Sequence, residues 1–205
     1  MNTAKTRGKK IKIGLDFDGV VAYNPFRVIR APVAYVKREI FGIKKLKFFV
    51  QKKKWERIFW IIAHESSVFP AYGASTLRTL AHRGDIEFHL ITARYSFLND
   101  SLYRWLDRYH LRDVFTSITT NIHDEQPHEY KLAAVKRLGL DYFVEDNFDI
   151  VSHLSSKVTT TVYWIYNITD HFTPYPHKVP YLGKALEGIM SEINAQETGS
   201  RKQKK

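Results

Sequence analysis

Three short apolar runs, each closing on polar residues, constrain this chain most: IKIGLDF (11–17), IEFHLITAR (86–94) and DYFVEDN (141–147). Runs of this length read as strands buried on both faces, the arrangement of a parallel sheet. Two more, VFTSIT (114–119) and VTTTVYWIY (158–166), have the same character. Between them FLNDSLYRWLDRYHL (97–111), HEYKLAAVKRLGL (128–140) and DIVSHLSS (149–156) follow a helical pattern, TLRTLAHRG (76–84) reads as a helix closing at Gly84, and a last helix is expected over 181–194. Strands alternating with helices predict an α/β fold, a parallel sheet sandwiched by helices.

The stretch 22–75 is too long for a simple crossover. It is expected to form a small helical cap inserted after the first strand, helical over 33–65 with an interruption at Gly42. The core then comprises 11–21 and 76–194, with basic flexible tails at 1–10 and 195–205. Trp55, Phe59 and Trp60 are spaced to pack inside the cap.

Charge is unevenly placed. Of a net charge of +11, residues 1–10, 37–57 and 201–205 together carry +15, which leaves the remainder at −4. Such basic segments attract polyanions weakly and in a salt-sensitive way. The stretch KKLKFFVQKKKW interleaves lysine with aromatics, but solvated helix surface is its simpler reading. Cysteine is absent, so disulfides, thiolate nucleophiles and zinc–thiolate sites are excluded within these residues. No apolar run is long enough to span a bilayer and no signal-peptide core precedes Asp16, so a cytoplasmic, soluble protein is expected.

In open α/β sheets, ligands sit beyond the carboxyl ends of the strands. Here the first strand ends in Asp16 and Asp18, the second in Thr92 and Arg94, and the fourth in Glu145 and Asp146. Acidic groups gathered without a counter-charge repel one another and shift toward protonation unless a cation holds them. Hard oxygen donors suit Mg²⁺. A carboxylate beside Mg²⁺ can attack phosphorus, and a second carboxylate two residues on can protonate the leaving alkoxide and then activate water. Gly19 permits a turn whose amides would face the phosphate.

The set DFDGV (16–20), LITAR (90–94), Lys131 in HEYKLAAVKRLG and FVEDN (143–147) resembles the four signature regions of the haloacid dehalogenase-like (HAD) phosphohydrolases, and within them the 5′(3′)-deoxyribonucleotidase-like members. The likeness spans roughly residues 11–165. It implies a HAD-like Rossmannoid fold and a phosphomonoesterase working through an aspartyl-phosphate. Asp16 would be nucleophile and metal ligand, and Asp18 general acid and base, its backbone carbonyl on Mg²⁺. Thr92, Ala93 and Lys131 would bind the phosphoryl oxygens, and Glu145 or Asp146 would complete the metal shell. Relatives often carry two aspartates at the last motif, so Glu145 leaves open which of the pair touches the metal.

The implied partner is a small phosphorylated substrate, with a nucleoside monophosphate the leading candidate. Arg94, Phe26 and Tyr72 are candidate substrate contacts, and Tyr95 also lies beyond a strand end. A polynucleotide-end phosphatase and a non-catalytic nucleic-acid-binding protein on the same fold are the alternatives. Phe17, between the two aspartates, is expected in the core. His123, His128, His171 and His177 lack a zinc-like sequence spacing and are expected to serve the surface or the substrate's edge.

Overall fold

The computed structural model describes residues 10–25, 61, 67–167 and 170–202. Six strands form one parallel sheet: β1 (Ile11–Leu15), β4 (Ile86–Thr92), β5 (Phe115–Thr120), β6 (Tyr142–Glu145), β7 (Thr161–Ile165) and β8 (Lys178–Val179), in the order β5-β4-β1-β6-β7-β8. Numbered along the chain, that is the Rossmann order 3-2-1-4-5-6. The direction of winding reverses at β1, so the crevice beyond β1, β4 and β6 is where this topology places a ligand.

Side chains alternate across the strands and build a core on each face. Tyr142, Val144, Tyr163 and Ile165 join Ile13, Leu15, Phe88 and Leu90 on one side. Three helices cover that face: α1 (Ala74–Ala81), α2 (Asn99–Arg108) and α5 (Leu182–Lys202), through Leu77, Leu102, Leu106 and Ile189. Phe143, Val162 and Trp164 point the other way, against α3 (Pro127–Leu138) and α4 (Phe148–Ser155) through Val135, Val151 and Leu154. Leu15 is fully buried; its truncation to alanine would cost about 2–5 kcal/mol. Pro127 opens α3 and Gly139, at φ 60°, closes it in the left-handed conformation that glycine adopts without penalty.

Three features depart from the expected outline. β8 lies within the stretch read as loop after Tyr166. The Lys178 ammonium gathers that loop by donating to the carbonyls of Asp170 (2.8 Å), His171 (2.5 Å) and Thr173 (2.8 Å), and it lies over the Trp164 and Tyr166 rings. Secondly, α5 continues past residue 194 to Lys202 rather than giving way to an unstructured tail. Ala195, Gln196 and Glu197 favour helix, and extending a helix already anchored by Ile189 and Ile193 gains one hydrogen bond per residue fixed.

The third concerns the long insertion. β2 (Ala22–Tyr23) and β3 (Phe69–Pro70) pair antiparallel, and the Ala71 amide donates to Val21 O at 2.8 Å. The chain therefore leaves the sheet after β1 and returns beside its point of departure. The helix expected over 33–65, with Gly42, Trp55, Phe59 and Trp60, lies outside the described residues except for position 61, as do Phe26, residues 1–9 and residues 203–205. Among the described residues no helix is long and apolar enough to cross a membrane.

Candidate active site

β1 ends at Leu15, and Asp16 is held onto the sheet by its amide, which donates to Val144 O of β6 at 3.0 Å. A tight turn follows at once, the amides of Val21 and Ala22 both donating to Phe17 O. Asp16 and Asp18 consequently stand at the carboxyl edge of the central strand while Phe17 turns into the core, fully buried and edge-on to Trp105 at 4.9 Å. Thr92 closes β4 and Glu145 closes β6. Lys131 reaches the same point from α3. Asp16, Asp18, Thr92, Arg94, Lys131, Glu145 and Asp146 are all buried.

Two ion-pair systems organise these groups. Lys131 Nζ bridges Asp16 Oδ1 at 2.9 Å and Glu145 Oε2 at 2.6 Å. Arg94 grips Asp18 in a two-pronged contact, Nε to Oδ2 and Nη2 to Oδ1, both 2.7 Å. Ser67, from the returning end of the insertion, donates to Asp18 Oδ1 at 2.6 Å. The Arg94 guanidinium also lies over the Phe17 ring at 4.5 Å. Arg94, a candidate substrate contact by sequence, is thus bound to a site carboxylate. The Thr92 hydroxyl accepts from the Arg94 amide at 3.2 Å, which fixes the turn that delivers the guanidinium.

Charge in the cluster is unbalanced. Among the described residues, two cations, Lys131 and Arg94, stand against the four carboxylates of Asp16, Asp18, Glu145 and Asp146. Burial pushes the Asp16 carboxyl well above the usual carboxylate range; Lys131 pulls it back, while Glu145, Asp146 and Asp18 push it further up. Burial also raises Glu145 against the pull of Lys131. For Lys131 burial acts downward, but Asp16 and Glu145 outweigh it and hold the ammonium more firmly protonated than an ordinary lysine.

A hard divalent cation would answer this imbalance. Donor oxygens of Asp16, Glu145 and Asp146 lie within 4.8 Å of one another, a set suited to Mg²⁺. Gly19 supplies the space: at φ +83°, a Cβ there would stand 2.2 Å from Asp146 Oδ2. Its amide, expected to face a phosphate, donates to Ala22 O at 2.8 Å and closes the turn. Glycine is required here for its conformation and the close approach of Asp146. Glu145 engages both oxygens, Oε2 with Lys131 and Oε1 with the Asn147 amide at 3.1 Å.

Of the expected site residues, the structure gathers Asp16, Asp18, Thr92, Arg94, Lys131, Glu145 and Asp146. Ala93, half-buried, lies between Thr92 and Arg94. Tyr72 is instead 75% exposed and stands edge-on to Tyr181 at 4.8 Å, its carbonyl accepting from the Gly183 amide. Sequence reading missed Ser67. It lies in HESSVFPAYGAS, whose serines and glycine signal a turn, and nothing local ties it to Asp18 across 49 residues.

No family model and no curated protein matches this chain by sequence. Solved structures do match its fold. A HAD-superfamily hydrolase from Ehrlichia chaffeensis aligns over 90% of this chain and 98% of its own, with a TM-score of 0.51 and 13% identity. A beta-phosphoglucomutase from Clostridium difficile aligns over 92% and 99%, with a TM-score of 0.56 and 16% identity. A HAD hydrolase from Entamoeba histolytica aligns over 85% and 94%, with a TM-score of 0.52 and 12% identity. The chain therefore has the α/β, Rossmann-like fold that these structures share.

Proposed function

We propose that this protein is a Mg²⁺-dependent phosphomonoesterase acting through an aspartyl-phosphate, with nucleoside monophosphates as its substrate class. The observation that carries this reading is the buried Asp16–Lys131–Glu145 bridge beside Asp146, at the switch point of a HAD-like sheet. Bound Mg²⁺ would offset phosphoryl charge and let an anion approach Asp16. Asp16, Asp146 and the Asp18 carbonyl would hold it. Because Glu145 already grips Lys131 and the Asn147 amide, Asp146 is favoured as the acidic residue in direct contact, with Glu145 keeping Lys131 in place.

Asp16 attacks phosphorus, the bond to the leaving alkoxide breaks, and Asp18 delivers the proton that alkoxide needs. Water deprotonated by Asp18 then hydrolyses the acyl phosphate and regenerates Asp16. Lys131 and the Thr92 hydroxyl, with the backbone at Ala93, stabilise the phosphoryl oxygens. Arg94 and Ser67 orient Asp18 and hold it as a carboxylate, so it takes up the proton for the first step as one of these contacts opens.

Phosphate release is the test. A panel of ribo- and deoxyribonucleoside monophosphates, sugar phosphates and a 3′-phosphorylated oligonucleotide, each with Mg²⁺ or EDTA, separates the classes. The expected result is Mg²⁺-dependent turnover of one mononucleotide class, abolished by Asp16→Asn. Preference for the oligonucleotide would select the polynucleotide-end reading, and no turnover by folded protein would sink the phosphatase reading.

A further inference from the structure

A second cluster lies outside the carboxylate site. His128 and Glu129 stand in the first turn of α3, and His153 near the end of α4 packs against them, the two imidazoles edge-on with ring centroids 4.8 Å apart. Glu129 Oε1 sits between them, 3.4 Å from His128 Nε2 and 3.4 Å from His153 Nε2. One donor atom from each residue falls within 4.8 Å of the others. Both imidazoles are largely buried, with side chains 9% and 14% exposed.

We propose that His128, Glu129 and His153 form a binding site for a borderline divalent transition metal, Zn²⁺ in preference to Mg²⁺, distinct from the carboxylate site. The spacing leaves room for a metal between the donors, as it also allows an ion pair, since ion pairs extend to about 4 Å. N–H···O hydrogen bonds are centred near ~2.9–3.0 Å and rarely exceed ~3.2 Å. Tetrahedral zinc with nitrogen and oxygen ligands at ~2.0–2.1 Å has ligand atoms about 3.3–3.4 Å apart, the separation Glu129 keeps from each imidazole. The donors are also of the right kind. Two imidazoles and one carboxylate match zinc, nickel, cobalt or copper, whereas Mg²⁺ prefers oxygen alone.

The protonation state fits as well. Lys157 Nζ lies 3.3 Å from His153 Nε2, and since an ammonium only donates, that ring nitrogen presents its lone pair. Burial, followed by the charge of Lys157, holds His153 below the ordinary histidine value. His128 is lowered by burial and then by its neighbour His153. Metal coordinates the neutral form of imidazole. Lys157 is exposed, so its amine can swing out as a metal takes its place on Nε2. A fourth position is left to water.

Such a metal would tie the start of α3, which carries Lys131 one turn further on, to α4, which follows Glu145 and Asp146. The test uses the full chain, stripped with EDTA, dialysed and returned to excess Mg²⁺ so that the carboxylate site is filled. Co²⁺ is then titrated while its visible d–d absorption is recorded, and Zn²⁺ is added in competition. One equivalent of Co²⁺ should give the intense bands of a four-coordinate ion, and Zn²⁺ should displace it.

His153→Ala and Glu129→Gln, checked for folding by circular dichroism, should each weaken Co²⁺ binding by more than about 100-fold, beyond the ~10–100-fold that loss of an outer-shell partner causes. Lys157→Ala should bind at least as tightly as the wild type. Absence of the Co²⁺ bands from the wild type, or unchanged affinity in His153→Ala, would overturn the proposal.

Discussion

The carboxylate cluster and the imidazole cluster share α3, yet they are built on opposite principles. Asp16, Glu145 and Asp146 are gathered by strand ends, where the parallel sheet fixes backbone positions, and are buried. His128, Glu129 and His153 are gathered by two helices packing side by side, with Glu129 reaching solvent. The first offers hard oxygens in a dry crevice, suited to holding Mg²⁺ against a phosphoryl group. The second offers borderline nitrogen from two largely buried imidazoles, suited to a transition-metal ion. Donor chemistry, not proximity, separates the roles assigned to the two clusters.

That contrast can be broken most decisively at Asp16. Asp16→Asn keeps the shape and removes the nucleophile, so Mg²⁺-dependent phosphate release should fall by at least about 10³-fold while Co²⁺ binding at the imidazole cluster stays intact. Loss of both in a folded variant would show that the two sites are not separate.

Lys131→Met should come next. It leaves Asp16 and Glu145 buried without their ammonium, a change expected to cost about 3–5 kcal/mol in denaturant unfolding. Mg²⁺ should restore more stability to this variant than to the wild type, because the cation takes over neutralisation of the cluster. Equal Mg²⁺ protection in both proteins would contradict the charge imbalance assigned to the site.

A smaller effect is expected at Gly19. Gly19→Ala forces a side chain onto a positive φ and into Asp146 Oδ2, costing about 1–3 kcal/mol and lowering turnover as the carboxylate is displaced. Unchanged stability and turnover would mean the turn relaxes freely. The smallest effect on catalysis is expected from His153→Ala, which should lose the transition metal yet retain Mg²⁺-dependent phosphate release in the assay.

The same contrast explains what could be read from the sequence. Each residue of the carboxylate site follows a strand long enough to carry a pattern, or opens a helix whose Gly139 terminator is visible, so Asp16, Thr92, Lys131 and Glu145 could be placed before the fold was known. Pairings across the fold could not. Arg94 on Asp18 spans 76 residues, and His153 joins His128 only because α3 and α4 lie side by side on one face. The two-residue strands β2, β3 and β8 are too short for periodicity, and β8 depends on the carbonyl cage around Lys178. Nor could the packing of Tyr72 be read, since it depends on Tyr181 and Gly183, more than a hundred residues on.

The central claim is that Asp16 is the atom donor in a covalent step. The direct measurement is to quench the wild type in acid during turnover of a phosphomonoester with a good leaving group and to weigh its peptides by mass spectrometry. The account predicts one phosphoryl group on the peptide carrying Asp16, absent in EDTA and absent from Asp16→Asn. Turnover with that peptide unmodified throughout, or with the phosphoryl group on another residue, would contradict it.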